Sequence, residues 1–146
     1  VAGDGELRPE LEALASRLGI ASQVRFLGFR SDLERIYPDL DVLCLTSDNE
    51  GSPVSLIEGL ASGCAAVSTD VGGVLDVLED GRCGLLVPAG DAPALARAVL
   101  DLLRDSAKRA ALGDEGRLSA RRFAIERLVI DLDNLYKNLL NVKIPS

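Results

Sequence analysis

The sequence predicts an α/β fold built on an open parallel sheet with helices on both faces. Three observations support this prediction: strand patterns alternate with helical patterns, no linker or repeat divides the chain, and its 146 residues suit one domain. With 47% hydrophobic and 27% charged residues, the chain can build a core and is not a disordered tail. We therefore expect one globular domain over residues 1–146.

The first part of the chain predicts a helix, a strand and a second helix. Leucines recur at helical spacing over residues 6–18, and Gly19 follows where a helix takes a left-handed cap. Residues 24–27 predict a short strand. Residues 31–37 predict a helix that ends before Pro38, because the residue preceding a proline is disfavoured in the helical region.

The middle of the chain predicts three strands separated by helices. Residues 41–46 form a largely apolar run without alternation, which is typical of a central strand buried on both faces of a parallel sheet. Further strands are predicted at residues 65–69 and 84–87, with a helix at 74–78 between them. A longer helix over residues 93–103 begins on a proline, which is favoured in the first helical turn.

The final third of the chain predicts only helices. Residues 126–140 carry an apolar stripe at helical spacing, so we expect this last helix to dock on an apolar surface. The stripe consists of Leu128, Val129, Leu132, Leu135, Tyr136 and Leu139. No apolar run approaches the ~20 residues that span a bilayer.

Composition excludes several kinds of site. The 16 basic and 23 acidic residues give a net charge of −7 without a basic stripe, so we expect no nucleic-acid partner. The chain has no histidine, and its three cysteines are widely spaced, which excludes the usual zinc patterns and the Ser/His/Asp and Cys/His catalytic groups. We interpret Cys44 and Cys64 as packed thiols and expect a cytoplasmic location.

Parallel sheets bind ligands beyond the carboxyl ends of their strands, so the loops there are the candidate sites. The first such loop ends at Gly5, but Arg8 stands where a dinucleotide fingerprint has its third glycine, which favours a plain turn. The second loop is Gly28, Phe29 and Arg30. A nucleotide base at Phe29 and an ordinary core position for that ring remain equally open.

The third loop and the helix after it, residues 46–63, carry the strongest signal. Ser52 is a good helix cap and Pro53 fits the first turn, so a helix N-terminus with free N–H groups is predicted here. Such an end attracts anions, and Gly51 lets a phosphate approach the backbone. Residues 70–73 form a fourth loop beside it, which a turn alone explains.

Glu58 is not explained by the fold alone. Its helix is apolar almost all round, which predicts burial, and a buried carboxylate needs a partner. Within the protein, that partner could be a helix N-terminus or an arginine such as Arg35 or Arg82. Alternatively, the partner is a pair of hydroxyls on a ligand, such as those of a ribose, and we favour this second interpretation. With Glu50 just before the helix, both carboxylates are expected near one end of the sheet.

The segment from Glu50-Gly51-Ser52-Pro53 to Glu58, followed by Gly72-Gly73, resembles the C-terminal domain of the group 1 retaining glycosyltransferases of GT-B architecture. The resemblance covers nearly the whole chain, and two glutamates seven residues apart in this setting are its specific core. It implies a Rossmann-like C-terminal domain that lacks its first strand and helix. It also implies binding of a nucleotide diphosphate sugar for retaining transfer to an acceptor.

The resemblance assigns roles to individual residues. Glu50 would be catalytic, since it would contact the sugar hydroxyls and stabilise positive charge, and Glu58 would accept hydrogen bonds from the ribose. The other implied substrate contacts are Gly51, Ser52, Pro53 and Val54 at the diphosphate, Gly28, Phe29 and Arg30 at the base, and Gly5. No metal or other cofactor is implied.

The implied partners are the nucleotide-sugar donor and a sugar or lipid acceptor held by an N-terminal domain that is absent here. The chain has no Met and opens on Val1, so we expect it to be a fragment cut just inside a strand. The family's diphosphate-binding arginine and lysine would precede it, so the fragment alone should be inactive. An exposed strand edge would permit self-association, and peripheral membrane association of the full-length enzyme is left open.

Two alternative functions remain at this point. The chain could be a non-catalytic nucleotide-sugar-binding or interaction domain, since it lacks the cationic segment. It could also belong to a related GT-B enzyme, such as a sugar-nucleotide epimerase.

Overall fold

The chain divides into two units, Val1–Arg35 and Ile36–Ser146, of which the computed structural model describes residues 1–141. The second unit is built on three parallel strands, β1 (Val42–Leu45), β2 (Ala65–Thr69) and β3 (Leu85–Val87), in the order β1-β2-β3. Val42 of β1 is paired with Ala65 of β2, and Val67 of β2 is paired with Leu85 of β3. The predicted open parallel α/β sheet is therefore confirmed.

The central strand of this sheet is β2, in which every residue is buried. The prediction that residues 41–46 form the central strand is wrong within the second unit, because β1 pairs there only with β2. A strand with one neighbour is less enclosed, so β1 is partly buried and Cys44 is exposed. Cys44 is therefore not the packed thiol that we predicted, whereas Cys64 is buried.

Helices cover both faces of the sheet, as predicted. They are α2 (Val54–Ser62), α3 (Val74–Leu78), α4 (Ala92–Arg104) and α5 (Ser106–Ala120). One face of β2 presents Ala66 to Leu56 and Leu60 of α2, in a cluster that also includes residues of α3. The opposite face presents Val67 to Leu102 of α4. This double cover explains why the strand reads as a continuous apolar segment.

Helix α5 lies directly on α2, because two of its residues are glycines. A β-carbon on Gly113 would overlap the backbone carbonyl of Gly63, and one on Gly116 would press into the side chain of Leu60. Gly63 itself has a φ of 84° and ends α2 with a left-handed cap. The sequence predicted that cap, but not the close approach of the two helices.

The first unit contains α1 (Arg8–Arg17), which confirms the predicted helix with slightly shorter bounds. Within the unit, only Ala15 of this helix is buried. The strand predicted at residues 24–27 is wrong. Its backbone makes only two hydrogen bonds to Val1, one from the Val1 amino group to the Arg25 carbonyl and one from the Leu27 N–H to the Val1 carbonyl. That pairing is too short to form a ladder.

The helix predicted over residues 31–37 is also wrong. Two 3₁₀ turns take its place, Leu33–Arg35 and Tyr37–Asp39. Pro38 has no N–H and cannot continue an α-helical ladder, whereas the tighter turn tolerates it near its start. The second turn places the side chain of Tyr37 in the interior, where it is 5% exposed.

The last helix, α6 (Ile125–Asn141), forms as predicted. Its apolar stripe does not dock on any described residue, and Leu128 and Leu135 remain about half exposed. The prediction that this stripe is covered is therefore wrong for the part of the chain that the structure describes. Among residues 1–141, no helix combines the length and apolar character needed to cross a membrane.

Replacing Gly113 by alanine should lower the free energy of unfolding by about 1–3 kcal/mol, because the added methyl group overlaps the Gly63 carbonyl. This loss should outweigh the better helix propensity of alanine, which is worth about 1 kcal/mol. Urea unfolding followed by circular dichroism measures the change. Ala111→Ser, at an exposed position of the same helix, is the control and should change stability by less than about 0.5 kcal/mol. A Gly113→Ala protein as stable as the control would contradict the proposed contact.

Candidate functional site

Two loops meet at the carboxyl ends of β1 and β2. The N–H of Gly73 donates to the carbonyl of Glu50 over 3.0 Å. The hydroxyl of Thr69, at the end of β2, donates to the carbonyl of Ser47 over 2.6 Å. The loop after β2 therefore holds the loop after β1 at two points.

The fourth loop has a more specific role than the plain turn that its sequence suggested. A β-carbon on Gly72 would overlap the Glu50 carbonyl, and one on Gly73 would overlap the Gly51 carbonyl. Gly72 also has a φ of 48°, which side chains rarely adopt. The two glycines thus allow one backbone to pack directly on the other and fix the peptide between Glu50 and Gly51.

The side chain of Glu50 is half-buried at the start of this packed segment. The hydroxyl of Ser47 donates to its Oε1 over 2.6 Å. No lysine or arginine among residues 1–141 forms an ion pair with it. Its carboxylate is therefore oriented by a neutral donor and keeps its charge uncompensated within the described chain.

The N-terminus of α2 differs from the prediction in its cap. Pro53 occupies the N-cap position and no side chain caps the helix, so Ser52 is not the cap. The carbonyl of Ser52 instead accepts the N–H of Val54 over 2.9 Å. The amide of Val54 is therefore already engaged.

Three other N–H groups remain available at this helix end. Within residues 1–141, no carbonyl or side chain accepts a hydrogen bond from the N–H of Gly51, Ser52 or Ser55. Gly51 and Ser52 are exposed, and a β-carbon on Gly51 would have open space around it. Unpaired donors at the positive end of a helix dipole form a site for an anion.

The predicted burial of Glu58 is wrong. Helix α2 buries Leu56, Gly59 and Leu60 against the core, while Glu58 lies on the exposed side. Apolar composition alone overestimated its burial, because only one side of α2 packs on the core. Neither of the two arginines suggested as partners pairs with it, and one of them, Arg82, is engaged by Glu79 and Glu115.

The partner of Glu58 is Tyr37, a residue that sequence reasoning missed. The Tyr37 hydroxyl donates to Glu58 Oε2 over 3.0 Å. Burial, together with this bond to the carboxylate, raises the pKa of Tyr37 to about 12. The phenol therefore stays protonated and donating at neutral pH. The one signal in the sequence was that a buried tyrosine hydroxyl usually needs an acceptor.

Glu58 also borders an open groove of about 430 Å³ between α2 and the end of α5 with the segment that follows it. Arg117 and Arg121 line the same groove. Arg117 already donates to the Ser62 carbonyl over 3.2 Å. A smaller cavity of about 150 Å³ lies at the ends of the strands, where its polar wall consists of Thr46, Asp48, Thr69 and Asp91.

The remaining predicted site residues lie in the first unit. Gly28 pairs with Gly3 in an isolated antiparallel bridge, which brings the loops at Gly5 and Gly28 together. Phe29 is 83% exposed, which excludes the core position left open for its ring. Arg30 donates two hydrogen bonds to the carboxylate of Asp32, which lowers the pKa of that carboxyl group.

Comparison with known protein families identifies a related family. A model described as glycosyl transferases group 1 matches residues 1–105. Among curated proteins, the chain is 37% identical over 140 residues to the D-inositol 3-phosphate glycosyltransferase of Corynebacterium urealyticum, covering 94% of this chain and 33% of that protein. The chain thus spans about a third of the length of the curated relatives that it matches.

Many solved structures are similar to this fold, two of which follow. Sucrose-phosphate synthase from Thermosynechococcus elongatus has a TM-score of 0.85 at 30% identity, with 95% of this chain and 36% of that chain covered. Anabaena HepE in complex with UDP-glucose has a TM-score of 0.84 at 26% identity, with 94% of this chain and 40% of that chain covered.

Replacing Gly73 by alanine should displace the Glu50–Gly51 peptide, since Gly73 has an ordinary negative φ and only the overlap opposes the methyl group. We expect a loss of about 1–3 kcal/mol in the free energy of unfolding, measured by urea titration. Gly51→Ala is the matched control in the neighbouring loop, where a methyl group meets nothing. Equal stability of the two variants would contradict the packing of the two loops.

Proposed function

This chain belongs to the group 1 glycosyltransferases, and on that premise we propose that it binds the nucleoside diphosphate sugar from which a sugar is transferred, with retention, to an acceptor. One observation carries the proposal: three N–H groups at the start of α2 are unpaired, and two of them, those of Gly51 and Ser52, directly follow Glu50 in the chain. The UDP-glucose complex of the similar HepE structure supports a ligand of this class.

The diphosphate is the part of the ligand that suits the start of α2. The N–H groups of Gly51, Ser52 and Ser55 are free to donate, and the helix dipole adds a partial positive charge. Because Gly51 has no side chain, a phosphate oxygen can approach its amide closely. The donors differ from those that the resemblance implied, since the Val54 amide is engaged by Ser52.

Glu50 suits the transferred sugar. Ser47 holds one of its oxygens, and the other is left to accept from sugar hydroxyls or to face positive charge at the reacting carbon. A carboxylate fixed before the reaction begins stabilises developing charge more effectively than one that must reorient. Glu58 in turn suits the ribose, because a carboxylate can accept hydrogen bonds from two neighbouring hydroxyls.

Other parts of the proposal rest on the resemblance. An N-terminal domain outside this chain holds the sugar or lipid acceptor, no metal is required, and the chain alone is inactive. The roles implied for Gly5, Gly28, Phe29 and Arg30 stay predictions, as do membrane association and self-association. We place the reaction in the cytoplasm, which the three free thiols support.

Calorimetric titration of the full-length protein with UDP, GDP and ADP tests the proposal. We expect at least one of them to bind, and Glu58→Gln to weaken that binding about 10- to 100-fold through the loss of charged hydrogen bonds. Glu50→Gln should leave the affinity within about threefold and lower kcat about 10²- to 10³-fold, since it acts on the transition state.

Asp101 is an exposed carboxylate on α4, and Asp101→Asn is the matched control. This variant should change neither the nucleotide affinity nor kcat. Retention of the anomeric configuration is read from the product by NMR. The proposal fails if none of the three nucleotides binds. It also fails if Glu58→Gln binds like the unmodified protein.

A further inference from the structure

We propose that Tyr37 is the positioning residue for Glu58, and that its hydroxyl holds the carboxylate in the orientation that receives the ribose. This inference rests on the proposed function, because it requires a ribonucleotide on Glu58. One hydrogen bond and the packing around the tyrosine support it.

The hydrogen bond joins a buried donor to an exposed acceptor. The Tyr37 hydroxyl lies 3.0 Å from Glu58 Oε2. Among residues 1–141, no other side chain or backbone group donates to the Glu58 carboxylate, and no cation pairs with it. The orientation of this exposed carboxylate therefore depends on the tyrosine.

Tyr37 is held in place from several sides. Its side chain is 5% exposed and its ring lies beside Gly59 of α2. Its carbonyl accepts from the thiol of Cys64 and from the N–H of Leu40, both over 3.1 Å. A β-carbon at position 59 would overlap the side chain of Leu43 and would lie 3.7 Å from Cδ1 of the tyrosine, so the ring packs at contact distance on the helix that carries Glu58. The hydroxyl is therefore fixed relative to α2.

This arrangement leaves most of the carboxylate available to a ligand. A carboxylate has about four lone-pair positions, and the tyrosine uses one of them on Oε2. Oε1 accepts no hydrogen bond from the residues that the structure describes. An exposed glutamate otherwise samples many rotamers, and ordering it on binding reduces affinity. Tyr37 removes part of that cost before the ligand arrives.

The test measures how strongly the full-length protein prefers ribose over a sugar without hydroxyls. Affinities are determined for UDP, GDP and ADP and for their 2′,3′-dideoxy forms. We expect the unmodified protein to prefer the ribo form of its best ligand about 10- to 100-fold. Tyr37→Phe keeps the ring but removes the donor, and should reduce this preference about tenfold, towards the value of Glu58→Gln.

Two control variants separate positioning from general damage. Tyr136→Phe removes a hydroxyl from an exposed tyrosine and should leave the preference unchanged. Leu102→Val loosens the core on the opposite face of the sheet, so it lowers stability without touching Glu58. Its preference for ribose should equal that of the unmodified protein.

The outcomes distinguish the inference from its premise. If Glu58→Gln loses the ribose preference while Tyr37→Phe keeps it, the positioning role is refuted and the proposed function stands. Equal weakening of both ligand forms by Tyr37→Phe also refutes positioning and indicates a purely structural residue. If the unmodified protein shows no ribose preference, the role proposed for Glu58 fails, and the inference about Tyr37 fails with it.

Discussion

The contact on which this site depends is the packing of Gly72 and Gly73 against the peptide that joins Glu50 to Gly51. Backbone meets backbone there, with one hydrogen bond from Gly73 to the Glu50 carbonyl and no side chain between them. The contact lies immediately before α2, whose N-cap is Pro53. The unpaired amides at the start of α2 and the carboxylate of Glu50 are therefore placed by the turn that follows a neighbouring strand, which is a general property of parallel sheets.

Helix α2 links the parts of the site that lie in the second unit. Its start carries the free N–H groups, its exposed side carries Glu58, and its buried side joins the core through Leu56 and Leu60. Glycines on α5 allow a second helix to pack closely on it. A helix held in this way cannot shift without loss of core packing, which keeps the donors and the carboxylate at constant separation.

Local patterns in the sequence were enough to predict the sheet, its parallel strands and the glycine cap of α2. Several of the errors arose because the feature predicted depends on contacts distant in the sequence. The edge position of β1 depends on which strands pair with it, and the exposure of Glu58 depends on what packs around α2. Tyr37 lies 21 residues before Glu58, and no local pattern relates the two. The helix predicted before Pro38 is wrong for a local reason, because the proline lies inside the 3₁₀ turn Tyr37–Asp39 and not after a regular helix.

The central claim is that the start of α2 receives the diphosphate. NMR titration of the isotopically labelled full-length protein with inorganic pyrophosphate tests it directly, since the probe carries neither base nor sugar. The account predicts that the amide resonances of Gly51, Ser52 and Ser55 shift together and saturate with one dissociation constant. It would be contradicted if these three amides stayed unshifted at saturation while amides elsewhere in the chain responded.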